Sequence, residues 1–196
     1  MIGAILAGGA SARFGGGPKG LRTVGGVRII DRVAEALRGV TTDLIVISNA
    51  VESATWLPGI RVVSDVRRER GSLVGLHTAL SVAGTSVMIV AWDMPFVSAE
   101  LLRLIRDRGR LERFATVPEG STGLEPFCAM YAPACIPIIE SALDAGELRM
   151  SAMLARLPSL TRVSAAELVA VGDPARLFFN VNNAQDLKLA EEMASS

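Results

Sequence analysis

Histidine and cysteine are almost missing from this chain, and each shortage closes off a chemistry. The one histidine, His77, has no acidic or cysteine neighbour in the sequence, so it reads as packing or surface rather than as an acid or base. The two cysteines, Cys128 and Cys135, have neither a C-x-x-C spacing nor a histidine cluster near them, which argues against a zinc site and a disulfide framework. Nothing near Cys128 would lower its pKa, so it reads as buried apolar filling and not as a nucleophile. An excess of one charge is missing as well. Twenty Lys and Arg balance 20 Asp and Glu, leaving no basic field for nucleic acid, and any phosphate recognition has to be local. No apolar run reaches the roughly eighteen residues of a membrane span, and Met1 to Leu6 lacks the basic flank of a signal peptide. The expectation is a cytoplasmic protein with no membrane partner.

What the chain does have is apolar material and glycine. Half of the 196 residues are hydrophobic, enough for one large core, and the length suits a single domain over residues 1–196. Glycine concentrates in the first loop, Leu6 to Lys19, between a short apolar run (Met1 to Leu6) and a stretch with helical apolar spacing (Ile29 to Leu37). Glycines add little to a core, but they let bare amides approach a ligand closely. Successive N–H groups in such a loop form a concave anion site, and Arg13 and Lys19 add charge where phosphate oxygens would lie. The loop reads as a triphosphate cradle. Gly15, Gly17 and Gly20 match G-x-G-x-x-G only formally, because they lie well past the strand end and no acidic residue follows about twenty residues on. A P-loop would need Gly-Lys-Ser/Thr, whereas Lys19 stands between Pro18 and Gly20.

The rest of the chain alternates strand and helix patterns. Gly25-Gly26 turns the chain, and a helix with Ile29, Ile30, Val33, Ala34 and Leu37 on one face ends at Gly39. Asp43 to Ser48, Ile60 to Ser64, Ser86 to Trp92, Phe114 to Val117 and Glu125 to Tyr131 read as strands. Helices are expected from Gly71 through Val82, after Ser98, over Pro137 to Leu143, over Ser151 to Leu157 and after Asn183. This order predicts an α/β fold with a mostly parallel central sheet and helices on both faces. Open parallel sheets bind ligands beyond the carboxyl ends of their strands, so Asn49, Asp65 and Asp93 inherit a functional reading beside the plain reading of turn residues. Ser98 takes the capping role for the following helix, with Glu100 in its first turn, which leaves Asp93 without one. Asn180 and Asn182 flank Val181 and would share one face of an extended segment.

The first loop resembles the signature of nucleotidyltransferases that activate small phosphorylated substrates with a nucleoside triphosphate. The matching places are Leu6, Ala7, Gly8, Gly9, Ser11, Arg13, Phe14-Gly15 and Lys19, and the Gly-Gly form ending in Lys19-Gly20-Leu21 is similar to the molybdenum cofactor guanylyltransferases, the MobA family. Later stretches resemble that family in order. Gly71, Leu73 and Gly75 stand where its backbone receives the guanine base. Asp93-Met94-Pro95-Phe96 stands where it has its metal-binding Asp, and Phe178 to Leu187 matches the ending that lies by its pterin substrate. The chain departs at Pro18, Ser72, Val74, Trp92 and Glu125.

The resemblance implies a single-domain, Rossmann-like three-layer sandwich of the nucleotide-diphospho-sugar transferase type. It implies transfer of GMP from GTP to molybdopterin with Mg²⁺ on Asp93, aided by Lys19 and Arg13. Leu6, Ala7, Gly8, Gly9, Ser11, Gly15, Lys19, Asn49, Asp65, Gly71, Leu73 and Gly75 would bind the nucleotide, and Asn180 and Asn182 would lie on the pterin side. Other molybdenum cofactor biosynthesis proteins and apo-molybdoenzymes would be the partners. CTP with the same pterin, a sugar 1-phosphate as acceptor, and a GTP-binding regulatory module without turnover are the alternatives that the residues leave open.

Overall fold

The apolar runs form the strands of one mixed sheet in a computed structural model that describes residues 1–8, 18–69, 71–111 and 113–195. In chain order these residues make β1 (Ile2–Leu6), β2 (Thr23–Val24), β3 (Val27–Arg28), α1 (Ile29–Arg38), β4 (Asp43–Ile47), β5 (Arg61–Val63), α2 (Ser72–Ala83), β6 (Val87–Ala91) and α3 (Ala99–Arg108). There follow β7 (Ala115–Gly120), β8 (Gly123–Leu124), β9 (Cys128–Tyr131), α4 (Ile136–Asp144), α5 (Met150–Ala155), β10 (Thr161–Val163), α6 (Ala165–Val169), α7 (Pro174–Leu177) and α8 (Ala184–Ser195). A 3-10 turn covers Lys19–Leu21 and another Val51–Thr55.

The sheet runs β10-β7-β9-β6-β1-β4-β5, with β8 paired to β7. The pairs around β1 are parallel, and β9 runs antiparallel to both its neighbours. Parallel strands must be joined by crossovers, and α1 and α2 supply them on opposite faces. Side chains alternate accordingly. Ile5, Val46, Met88 and Val90 join the core beneath α1 and α3, while Ala4, Leu6, Ile45, Ile47 and Ile89 join the core beneath α2, α4 and α5. The result is the expected three-layer α/β arrangement. No helix among the described residues is long and apolar enough to cross a membrane.

Several boundaries differ from the sequence expectation. Of Glu125 to Tyr131 only Cys128–Tyr131 forms the strand, since Pro126 has no N–H to give a ladder and the segment before it turns through a bond from Cys128 N to the Glu125 carbonyl. The strand expected from Phe114 begins at Ala115 and runs on to Gly120. β10, α6 and α7 carry too few residues to show a periodicity, and they were not expected. α6 is nevertheless marked by a capping box, Ser164 with Glu167.

Registry sets the position of the site. Leu6 lies level with Ile47 of β4 and with Ala91 of β6, so the three central strands end side by side. Whatever residues follow those ends are brought to one edge of the sheet.

Candidate active site

Beyond these strand ends lies a cleft of about 930 Å³, large enough for a nucleotide together with a second substrate. Its floor is made by Leu6, Ala7 and Gly8 after β1, by Ser48 and Asn49 after β4, and by Trp92 and Asp93 after β6. The Ala7 N–H donates to the Ile47 carbonyl at 2.9 Å, which carries the pairing one residue past the strand. Among the described residues a Cβ on Gly8 would meet nothing within 4 Å. None of them demands glycine there, and its effect is to leave the backbone open to the cleft.

Lys19 and Asp93 meet in this cleft as an ion pair, Nζ to Oδ2. Asp93 is buried, and a buried carboxylate needs a partner of opposite charge. The Lys19 ammonium also donates to the Asn182 carboxamide oxygen at 3.2 Å. The segment carrying Asn182 is itself held to the strand end, since Val181 N donates to the Asp93 carbonyl at 2.9 Å. Residues from the first loop, the sixth strand and the entry to the last helix thus converge.

On the other side of the floor Asn49 and Asp65 bind each other. Asn49 Nδ2 donates to Asp65 Oδ2 at 2.7 Å, and Asp65 N donates to Asn49 Oδ1 at 2.9 Å. They tie the ends of β4 and β5 together and line the cleft as well, so the turn and the ligand readings are compatible. Above them α2 begins at Gly71 without a side-chain cap. Its first N–H groups have no intrahelical partner, and with the helix dipole they favour a negative group at the cleft.

Of the residues singled out in the sequence, Leu6, Ala7, Gly8, Lys19, Asn49, Asp65, Gly71, Gly75, Asp93, Asn180 and Asn182 line this one cleft. Leu73 does not. Its side chain is fully buried in the core beneath α2, which limits any share in the site to its backbone. Gly9, Ser11, Arg13 and Gly15 lie outside the described residues.

His77 is also buried away from the cleft, as packing would have it, but it has an acidic neighbour in space that the sequence did not reveal. Its Nε2 lies 3.2 Å from Glu140 of α4. Burial pushes the Cys128 thiol far above its ordinary range, with the Glu125 charge adding to the effect, so that thiol is inert as a nucleophile.

Two residues of the cleft were missed from the sequence as a unit. Trp56 and Trp92 stack with ring centroids 4.9 Å apart and planes 23° from parallel. Both line the cleft wall while remaining almost wholly buried. A Cβ on Gly20 would lie 2.5 Å from Trp92 Cε3, so the glycine after Lys19 is there to admit the indole. Nothing in the sequence marks this packing, because Gly20 and Trp92 are far apart in the chain.

This architecture defines a class: an α/β nucleotidyltransferase domain, with its cleft at the carboxyl edge of the sheet and a lysine paired to a strand-end aspartate. A family model described as the MobA-like NTP transferase domain matches residues 3–163, and the chain belongs to that family. A molybdenum cofactor guanylyltransferase of Desulfosudis oleivorans is 35% identical over 193 residues, covering 97% of this chain and 94% of the relative. A probable molybdenum cofactor guanylyltransferase of Pelotomaculum thermopropionicum is 38% identical over 195 residues, covering 99% and 93%. The crystal structure of molybdopterin-guanine dinucleotide biosynthesis protein A from Archaeoglobus fulgidus superposes with a TM-score of 0.84 at 28% identity, over 100% of this chain and 99% of that one.

Proposed function

We propose that this enzyme is a molybdenum cofactor guanylyltransferase acting as a single domain over residues 1–196 in the cytoplasm. It transfers GMP from GTP to the terminal phosphate of molybdenum-bearing molybdopterin and releases pyrophosphate. The observation that carries the reading is the Lys19–Asp93 pair in a cleft at the ends of the central strands. The relatives' names and their nearly full-length similarity support the choice of base and acceptor.

The nucleophile is a phosphate oxygen of the acceptor, ionised at neutral pH, so no general base is required. This suits a cleft whose described lining contains no histidine. The new bond joins that oxygen to the α-phosphorus of GTP, the bond from the α-phosphorus to the bridging oxygen breaks, and pyrophosphate leaves with the electron pair. Because anions must meet and part, positioning and charge neutralisation carry the catalysis. Lys19 holds the departing phosphates, and Arg13 with the amides of Gly8, Gly9 and Gly15 completes the cradle. Ser11 belongs to the same cradle. The start of α2 at Gly71, together with Gly75, Asn49 and Asp65, forms the nucleotide side of the cleft, and Asn180 lies on the acceptor side.

The described residues contain no group of three or more His, Cys, Asp or Glu able to hold a metal by themselves. One buried carboxylate still fits Mg²⁺, which is commonly bound through one or two carboxylates, with substrate phosphates and water completing its shell. Asp93 would hold it, and the chemistry supplied there would be neutralisation of phosphate charge and polarisation of the reacting phosphate. Other molybdenum cofactor biosynthesis proteins would supply the acceptor, and apo-molybdoenzymes would receive the product.

Calorimetric titration with GTP, CTP, UTP and dTTP, each with Mg²⁺, tests the reading. A preference for GTP, followed by pyrophosphate release on addition of molybdopterin, is expected. A preference for CTP would change the product to the cytosine dinucleotide, a reading that the departures at Ser72 and Val74 keep open. UTP or dTTP preference would point to a sugar 1-phosphate acceptor. GTP binding without pyrophosphate release under any acceptor would mean a regulatory module.

A further inference from the structure

Asn182 stands on the acceptor side by resemblance, yet its carboxamide is engaged by the triphosphate lysine. We propose that Asn182 is a positioning residue that aims the Lys19 ammonium and thereby serves the phosphates of the nucleotide. This rests on the nucleotidyl transfer proposed above.

Lys19 can only donate, so the Asn182 atom 3.2 Å from its Nζ acts as an acceptor, the carboxamide oxygen. The ammonium ends a long, rotamer-rich side chain, and the Asp93 contact alone would leave it free to pivot about one point. A second acceptor sets its direction. The two acceptors differ in a useful way. Asp93 neutralises the lysine, whereas the neutral amide of Asn182 holds it and leaves its charge available to a phosphate. With a metal held by Asp93, Asn182 would remain as the partner that keeps Lys19 in place.

Asn182 is suited to this because its backbone is fixed from both sides. Val181 N donates to the carbonyl of Asp93 itself at 2.9 Å. Asn182 N and Asn183 N donate to Asp186 Oδ2 at 2.8 and 3.2 Å, in the first turn of α8. The carboxamide therefore projects from a segment clamped between the strand end carrying Asp93 and the start of the last helix. The same Asp186 contacts that start α8 thus also fix the backbone from which the exposed Asn182 side chain projects.

The test is calorimetric binding of GTP and of GMP, without acceptor, to the wild-type enzyme, to Asn182→Ala, to Lys19→Ala and to the double variant. Leaving out the acceptor silences any role of Asn182 in acceptor binding. Asn182→Ala is expected to raise the Kd for GTP by about three- to tenfold, in keeping with one partly exposed hydrogen bond to a charged group, and that for GMP by less than about twofold. In the Lys19→Ala background the same substitution should add nothing, because the group it positions is gone. GTP binding unchanged by Asn182→Ala, with turnover still reduced, would assign the residue to the acceptor and overturn the proposal. Equal losses for GTP and GMP would overturn it too, as general distortion. If the wild-type enzyme binds another nucleoside triphosphate instead of GTP, the proposed guanylyl transfer fails. The comparison with that triphosphate and its monophosphate then reads Asn182 in the same way.

Discussion

At position 20 a methyl group would lie 2.5 and 2.7 Å from two ring atoms of Trp92 and 2.9 Å from its backbone oxygen. That crowding shows how single residues serve the site from behind. Trp92 fills the space under the Lys19–Leu21 turn, and the next residue in the chain is Asp93. Asp93 is legible in the sequence, because Ser98 takes the capping role and leaves the carboxylate unassigned. Trp92 is legible only as a departure, since its partner Trp56 is remote in the chain. The same locality bears on Leu73, which entered with a stretch expected to act through its backbone. Its side chain is fully buried beneath α2, so only its backbone groups remain for that role. Asp93→Asn removes the charge while keeping the shape. It is expected to lower kcat by roughly a hundredfold or more, as loss of one electrostatic stabiliser does, with a smaller effect on the Kd for GTP. Steady-state kinetics at saturating Mg²⁺ checks this, and near-normal turnover would mean that Asp93 is not the metal ligand.

Among the elements, those with a mark at each end were read most closely. α3 starts after Ser98, whose Oγ accepts from Leu101 N at 3.2 Å, and stops at Gly109. α8 starts where Asn183 Oδ1 accepts from Gln185 N and Asp186 N, the arrangement expected from Asn183 and Asp186. Gly25 and Gly26 turn the chain with φ of 58° and 76°, the left-handed pair that a two-residue hairpin needs. The flanking strands of that hairpin were not foreseen, since two residues each carry no periodicity. β10 and α7 escaped for the same reason. Ser98→Ala deletes one cap and should cost about 1 kcal/mol. In a chain of this size that corresponds to a fall in Tm of about 2–4 °C, measurable by calorimetry.

Over the whole molecule, the sheet order decides both function and one stability term. β9 enters between β6 and β7, and Glu125, just before it, packs against Gly120. Half-burial raises the carboxyl pKa of Glu125 above its ordinary value. A raised folded-state pKa means that folding favours the protonated acid. The penalty for burying the charge is absent below the unfolded-state pKa and grows as pH rises through the folded-state one. Glu125→Gln, neutral and of similar shape, should therefore raise Tm slightly at neutral pH, and the difference should disappear in acid below the usual carboxylate range. Thermal denaturation across pH measures this, and an equal shift at every pH would mean that burial of the charge is not its cause.

The sequence by itself determined what depends on near neighbours. The strand and helix order follows from apolar periodicity, the helix ends from capping residues and glycines, and the place of the glycine-rich loop from glycines followed by Lys19. Only the tertiary structure decided which strand ends meet. Apolar periodicity says that a run will be buried, but parallel pairing carries no local mark of its partner, because the partner is chosen by contacts far along the chain. Placing β1 between β4 and β6 sets Lys19 on Asp93, 74 residues away, and the entry to α8 sets Asn182 on Lys19, 163 residues away. Those two contacts convert a glycine loop, a strand-end carboxylate and a C-terminal asparagine into one site.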